Sequence, residues 1–489
     1  MTGAPRGHLP TIAACTALLL AVHPASARTI HVAPDSSGDV LNVQAAIDVA
    51  SNGDVIELAD GLFTGPGNWD LNLGTKDLTI RSQHGATATT VDGGYPTDMW
   101  AKHQGFILHG GQTSATVLED ITVTGVATTQ EGGAISCVGA SPLIRHMRIV
   151  GNRYAVRGVG LFSQGGAPVV QDCVFDGLGP TESAICGRQS FLTLERCTIR
   201  NSGCSFVVDL DGGTLTDCAL EHNDPYGKDP NLFMYARSGD VSLLRCRLAS
   251  SFSEGIRVGP QANLFVGGCA FDSLHGLEGT AIWGNGTAVV RSTTFRALIG
   301  YYAESVIQWW RTPDSPGSIS FDHCVFVRNI SSGYFGRDGV VYADGAIVNV
   351  SHCTFAWNVS YDAGASAFFL WDDAQLSLDH TIIAFGDGSA NGAVRCEGKS
   401  VVDARCCDIY GNAGGDWTWC IADQLGTNGN FSSDPAFCRD LPDEVSLQTN
   451  SPCAAPNAGA CGLIGALGIA CGPTALQERS WGSIKALYR

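Results

Sequence analysis

From residue 121 onward, apolar and polar positions repeat with a period of roughly 25 residues, the signature of a solenoid. The string Leu194-Glu195-Arg196-Cys197-Thr198-Ile199-Arg200-Asn201 returns as Leu215-Thr216-Asp217-Cys218-Ala219-Leu220 and as Leu243-Leu244-Arg245-Cys246-Arg247-Leu248. It returns again as Phe321-Asp322-His323-Cys324-Val325-Phe326-Val327-Arg328-Asn329 and Val350-Ser351-His352-Cys353-Thr354-Phe355-Ala356-Trp357-Asn358. With the cysteine as marker, the equivalent positions are Ile121, Met147, Cys173, Cys197, Cys218, Cys246, Cys269, Thr293, Cys324, Cys353, Thr381 and Cys407, spaced 21 to 31 residues apart.

Within each string the alternation breaks phase once. Leu192 and Leu194 share one parity, Cys197 and Ile199 the other, so all four face inward only if the chain bends at Glu195-Arg196. A bend at the same place in every repeat converts strands into edges of a coil, and coils stack by parallel hydrogen bonding at about 4.8 Å per rung. No helical period separates the strands, which excludes an alternating strand–helix fold. The pattern predicts an all-β, right-handed parallel β-helix of about a dozen coils. Asn152, Asn223, Asn329, Asn358 and Asn412 fall five residues after their markers, and Asn201 four after. These are expected at a left-handed corner, as an amide ladder.

A coil end exposes unpaired strand edges and needs a cover. Asn42 can cap a short helix whose Val43, Ala46, Ile47 and Ala50 share one face, stopped by Asn52-Gly53. Asp54 to Phe63 then reads as the first strand.

Here the chain resembles a known family. Asn42-Val43-Gln44-Ala45-Ala46-Ile47-Asp48, followed by Gly53-Asp54-Val55-Ile56, resembles the opening segment of the pectin-lyase-like right-handed β-helix superfamily. Gly132-Gly133-Ala134-Ile135 and the strings Phe326–Asn329 and Phe355–Asn358 resemble repeats of polymorphic outer-membrane proteins. The resemblance covers about residues 29 to 412 and implies the fold and, more weakly, a surface location. No C-terminal run of alternating membrane strands accompanies it, so self-inserted display is not expected.

Composition narrows the function. The 489 residues are 44% hydrophobic, with 61 glycines against only 29 Lys plus Arg and a net charge of −18. Nucleic acid is therefore not an expected partner. Residues 1–27 read as an export signal: Arg6, the apolar run Ile12 to Val22, and Ala25-Ser26-Ala27 as the cleavage site. Ile12-Ala13-Ala14-Cys15 has the shape of a lipoprotein box, but most of the apolar run follows Cys15. No later stretch is apolar enough to span a membrane as a helix. The expected organisation is signal (1–27), N-terminal cap and first strand (28–70), β-helix (71–412), Cys-rich C-terminal cap (413–472) and tail (473–489). Trp481, Ile484 and Leu487 or Tyr488 of the tail are spaced for one helical face. A secreted or cell-surface monomer is expected, with no cofactor and no metal.

The cysteines form two populations. Cys173, Cys197, Cys218, Cys246, Cys269, Cys324, Cys353 and Cys407 stand on the inward column, where a reduced thiol packs as a small hydrophobe. Cys396, Cys406, Cys420, Cys438, Cys453, Cys461 and Cys471 lie in irregular sequence and are disulfide candidates in an exported chain. Proximity along the chain suggests Cys438 with Cys453 and Cys461 with Cys471.

No complete catalytic set appears. The five lysines, at 76, 102, 228, 399 and 485, are scattered over distant coils, and Asp372-Asp373 alone matches the carboxylate pairs of glycoside hydrolases only weakly. One aromatic region stands out. Trp283, Tyr342 and Trp371 occupy similar places before their markers, and the longest repeat carries Tyr301, Tyr302, Glu304, Trp309, Trp310 and Arg311. Trp309, Trp310 and Trp371, with Asp344, Asp372 and Asp373 as polar partners, are the candidate sugar-binding residues; the competing reading sends half of the rings into the core. The sequence thus reads as a binding or structural module that recognises an extracellular polysaccharide or cell-envelope component. The alternatives are a carbohydrate-active lyase, hydrolase or epimerase, and an envelope spacer or adhesin.

Overall fold

The computed structural model describes residue 3 and residues 27–95, 102–223, 231–251, 253–276, 280–300, 305–332, 338–361, 364–388, 391–438 and 445–472. Most of the export signal, Tyr301, Tyr302, Glu304 and the tail after Gly472 lie outside them. Each turn supplies three short strands, such as Ser183–Arg188, Leu192–Glu195 and Thr198–Arg200. Each pairs in parallel with its counterparts one turn away: Leu192–Glu195 lies between Val169–Gln171 and Gly213–Thr216. Three parallel sheets result, called first, second and third in the order the chain meets them. The molecule is a right-handed parallel β-helix of about fifteen turns.

That is more than the repeat strings count. The early turns at Thr29–Val32, Val55–Leu58 and Thr79–Ser82 pair in register with the rest but carry no recognisable marker. Asp54 to Phe63 is likewise two strands, Val55–Leu58 and Gly61–Phe63, in different sheets. Below the first turns lies the helix Val43–Val49, with Asn42 accepting a 2.9 Å bond from Ala45 N and Val43, Ala46 and Ile47 buried. Its apolar face meets the open end of the core.

The bend sits where the phase break demands. The residue before each marker, from Asp120 and His146 through Arg196 and His352 to Cys406, has φ between 46° and 64°. Side chains other than glycine rarely adopt this conformation. Here it lets consecutive strands both aim their apolar side chains inward. At this corner Arg196 bonds Asp172 of the turn below, and Arg245 bonds Asp217. These exposed ladders join neighbouring turns from outside.

All eight column thiols are buried and unpaired. Each sulfur lies near the carbonyl two residues earlier, as Cys353 Sγ to Ser351 O at 3.2 Å. Cys137, Cys186, Cys204 and Cys453 are also buried free thiols. Titrating the unfolded, unreduced chain should therefore expose twelve described thiols. A count near zero would mean that the rungs are cross-linked.

The asparagine column corrects one expectation. Asn152, Asn223, Asn329, Asn358 and Asn412 do not occupy the left-handed corner, which belongs to the residue before each, such as Gly151, Arg328 and Trp357. Their amides are buried and complete the backbone of the turn below. Asn358 Nδ2 donates to Phe326 O at 3.0 Å, while its Oδ1 accepts from Asn329 N at 3.0 Å. Asn201 alone is itself left-handed, with φ 53°, and it is exposed. The strings Phe326–Asn329 and Phe355–Asn358 thus report a coil corner, not a family-specific site.

The C-terminal segment covers two surfaces. Trp417 and Ile421, the latter in the 3₁₀ turn Trp419–Gln424, join the main core at the last turn. Residues beyond it fold back along the outside of the third sheet. Phe437, Val445, Leu447, Cys453, Ala454, Ile464 and Ala466 pack there on Val325, Val327, Ala356, Ile382 and Ala384. Two disulfides hold this strap, Cys406–Cys461 and Cys438–Cys471, while a third, Cys396–Cys420, ties the 3₁₀ turn to the last coil. The pairs Cys438–Cys453 and Cys461–Cys471 do not form. Leu447–Gln448 pairs with Ile469–Cys471, which carries Cys471 back to Cys438. Cys453 is buried instead, its thiol 3.1 Å from Asp408 Oδ2. Burial pushes that carboxyl up to about 7.

Candidate functional site

Outward positions of the first sheet line up turn by turn, although Phe162, Cys186, Asp209, Trp283 and Phe369 among them are buried. Parallel register sets Phe162, Cys186, Asp209, Tyr235, Arg257, Trp283, Gln308, Tyr342, Phe369 and Arg395 in a single column. Two residues further along the strands, Trp310, Asp344 and Trp371 form a second column in three consecutive turns. Parallel pairing places equivalent positions one rung apart, so Trp310 and Trp371 stand roughly 9.6 Å apart with the Asp344 turn between them.

The rings make a partly covered strip. Trp283 lies 5.8 Å from Trp310 and Tyr342 lies 6.1 Å from Phe369, while Phe206 meets Tyr235 at 5.6 Å. Arg257 sits between faces, 5.0 Å from the Tyr235 ring and 4.7 Å from that of Trp283, and no carboxylate pairs with it among the described residues. Trp283 is only 6% exposed, and its indole N–H finds no acceptor among the described residues. A cation and an unused donor thus stand together on an apolar strip.

Toward the N-terminal side the strip gives way to charge. Asp209 is fully buried and held by two guanidiniums. Arg188 Nη1 donates to Oδ1 at 3.0 Å and Nη2 to Oδ2, while Arg237 Nε and Nη2 donate at 2.7 and 2.9 Å. Burial opposes the charge of Arg188, but the bonds to Asp209 outweigh it and hold its pKa above the usual guanidinium value. Burial also pushes the neighbouring Cys186 thiol up to about 12, which keeps it protonated at neutral pH. Glu182 lies 3.4 Å from Arg157, 3.6 Å from Arg237 and 3.9 Å from Arg188. Arg237 also covers the Tyr235 face at 4.4 Å, so the ionic cluster supports the aromatic strip.

Of the residues singled out from sequence, Trp309 is a correction. Strand Ile307–Trp310 alternates, Trp309 shares the parity of Ile307, and its ring is fully buried in the core. No sugar can reach it. Trp310, Trp371 and Asp344 are half-buried on the outer surface, in one column. Asp372 and Asp373 form the exposed left-handed turn just past Trp371, with φ of 45° and 65°. Trp283 and Tyr342 share a column, whereas Trp371 belongs to the next one. Sequence reading missed Tyr235, Arg257, Asp209 and Arg237. Scanning every turn nine to twelve residues before its marker would have found the first three. Only Gln308 breaks that spacing, because its turn carries the extra loop after Trp310.

Strand pairing and surface together define a right-handed parallel β-helix with an aromatic and ionic strip along one sheet. No protein-family profile matches the sequence, and a search of curated proteins finds no match. Among solved structures, the chain is similar to the catalytic unit of a GH87 α-1,3-glucanase from Streptomyces thermodiastaticus strain HF3-3. That match has a TM-score of 0.43 and 14% identity over 81% of this chain and 71% of that one. It is also similar to a mannuronan C-5 epimerase A-module from Azotobacter vinelandii, with a TM-score of 0.30 and 11% identity over 76% and 93% of the two chains. A pectate lyase gives a TM-score of 0.29 and 12% identity over 91% and 97%. At such scores no residue role carries over.

Proposed function

We propose that this is an exported, monomeric polysaccharide-binding protein that holds its ligand along the first sheet. The observation that carries this reading is the row Tyr235–Arg257–Trp283 beside Trp310 and Trp371. Flat apolar faces suit the C–H sides of sugar rings, and the Arg257 guanidinium offers donors for their oxygens. A rigid rod repeats such contacts at fixed rung spacing, which suits a polymer better than a small molecule. Three disulfides favour an oxidising compartment. No helix among the described residues is long and apolar enough to cross a membrane.

The test is a polysaccharide panel, read for both binding and product release. For a bound glycan, Trp310→Ala and Trp371→Ala should each weaken binding by about 1 kcal/mol, roughly fivefold, without changing the melting temperature. Unchanged binding in both variants, or no ligand in the panel, would sink the reading. A second reading rests on Glu182, whose part-exposed carboxylate lies among three arginines at the end of the strip. It makes the protein an enzyme acting on the same polymer. Product release that disappears in Glu182→Gln, with binding retained, would favour it.

A further inference from the structure

Where the second sheet bends into the third, three consecutive turns place histidine at the left-handed corner: His323, His352 and His380. The rings stack almost parallel, 4.9 Å apart between the first two and 4.7 Å between the last two. In other turns this column carries opposite charges, as Asp172 with Arg196 and Asp217 with Arg245. Here it carries three imidazoles, with Asp322 beside the first. His323 Nδ1 lies 2.8 Å from Asp322 Oδ1, and His352 Nδ1 lies 2.9 Å from Ser351 Oγ. Asp322, His323 and His352 each offer a ligand atom, and these atoms lie within 4.8 Å of one another.

We propose that Asp322, His323 and His352 bind a divalent transition-metal ion of the Zn²⁺ class, with water completing the shell. Two imidazoles and a carboxylate are a common three-ligand set for such an ion, leaving an open coordination position. Ligand atoms on one tetrahedral Zn²⁺ stand roughly 3.4 Å apart, so the donors must draw together by at most about 1.4 Å. The Asp322 and His323 side chains are 41% and 46% exposed, which leaves them room to turn. Burial lowers the pKa of His352, and the neighbouring His380 and His323 lower it further. The nearby charges are Arg291, 3.9 Å from Asp322, and Asp379, 2.9 Å from His380. The corner is separate from the aromatic strip, so this inference does not depend on glycan binding.

The experiment is calorimetric titration of the untagged full chain with Zn²⁺, and with Co²⁺ as a spectroscopic probe. We expect saturable uptake of one ion per chain and a Co²⁺ absorption band typical of nitrogen ligation. His323→Ala and His352→Ala should each weaken uptake by about tenfold or more, with a somewhat lower metal-free melting temperature because both positions hold a left-handed backbone that alanine tolerates poorly. His352→Gln, closer in size, provides the same comparison if the alanine variant folds poorly. No uptake by the wild-type chain, or uptake that survives both histidine substitutions, would overturn the proposal.

Discussion

Cys353→Asp is expected to lower the unfolding free energy by several kcal/mol, because it buries a carboxylate without a cation. Cys353 is fully buried between Cys324 and Thr381 of the adjoining turns, its sulfur accepting from Cys324 N at 3.4 Å. A carboxylate there lacks a counter-charge and cannot reach water through a column sealed by its neighbours. The comparison is Asp373, an exposed residue whose change to Asn should stay within about half a kcal/mol. Alanine is a poorer control at that position. Residue 373 has φ 65°, which Asp and Asn tolerate and which costs alanine roughly 1 kcal/mol. Urea unfolding of the two variants measures the difference, and equal midpoints would show the inward column to be misassigned.

The second large effect is expected at Asp209. Asp209→Ala should destabilise the middle turns by about 3 kcal/mol, since removing one member of a buried ionic cluster strands the others. The part exposure of Arg237, at 32%, and the nearness of Glu182 and Asp211 keep the loss from being larger. Replacing Arg188 and Arg237 by Met in the same chain should recover much of it, because no stranded charge then remains. Failure of the triple variant to recover would mean that Asp209 acts through packing and not through its charge. Asp209→Ala should also loosen Arg237 from Tyr235 and weaken glycan binding.

The coil was legible because its cause is local. A phase break that recurs at each marker leaves a bend as the simplest way to bury Leu194 and Cys197 together, and left-handed Arg196 supplies it. The amide ladder was legible as a column but not in its geometry, since spacing alone does not separate a left-handed residue from the buried one after it. Trp309 was misread for a related reason. Two adjacent tryptophans must face opposite ways in a strand, and only the parity with Ile307 tells which one points inward. Disulfide pairing was not legible, because Cys438 and Cys471 meet only after the strap has doubled back. The strap's position did leave a trace. Outward positions of the third sheet are polar at Thr198 and Arg200 but apolar at Val325, Val327, Ile382 and Ala384.

That apolar stripe gives folding an order in time. Ala466 N bonds Thr354 Oγ1 across a sequence separation of 112 residues, so the turns that need covering are made long before their cover. A chain emerging N-terminus first winds its rod with Val325, Val327, Ile382 and Ala384 still facing water. Only when the final segment arrives does the stripe close, and only then can Cys406 find Cys461 and Cys438 find Cys471. For that interval the unfinished rod presents a sticky flank to any other chain at the same stage. The two disulfides then act as a latch on a step that has already occurred, making completion of the molecule hard to reverse once its last residues are in place.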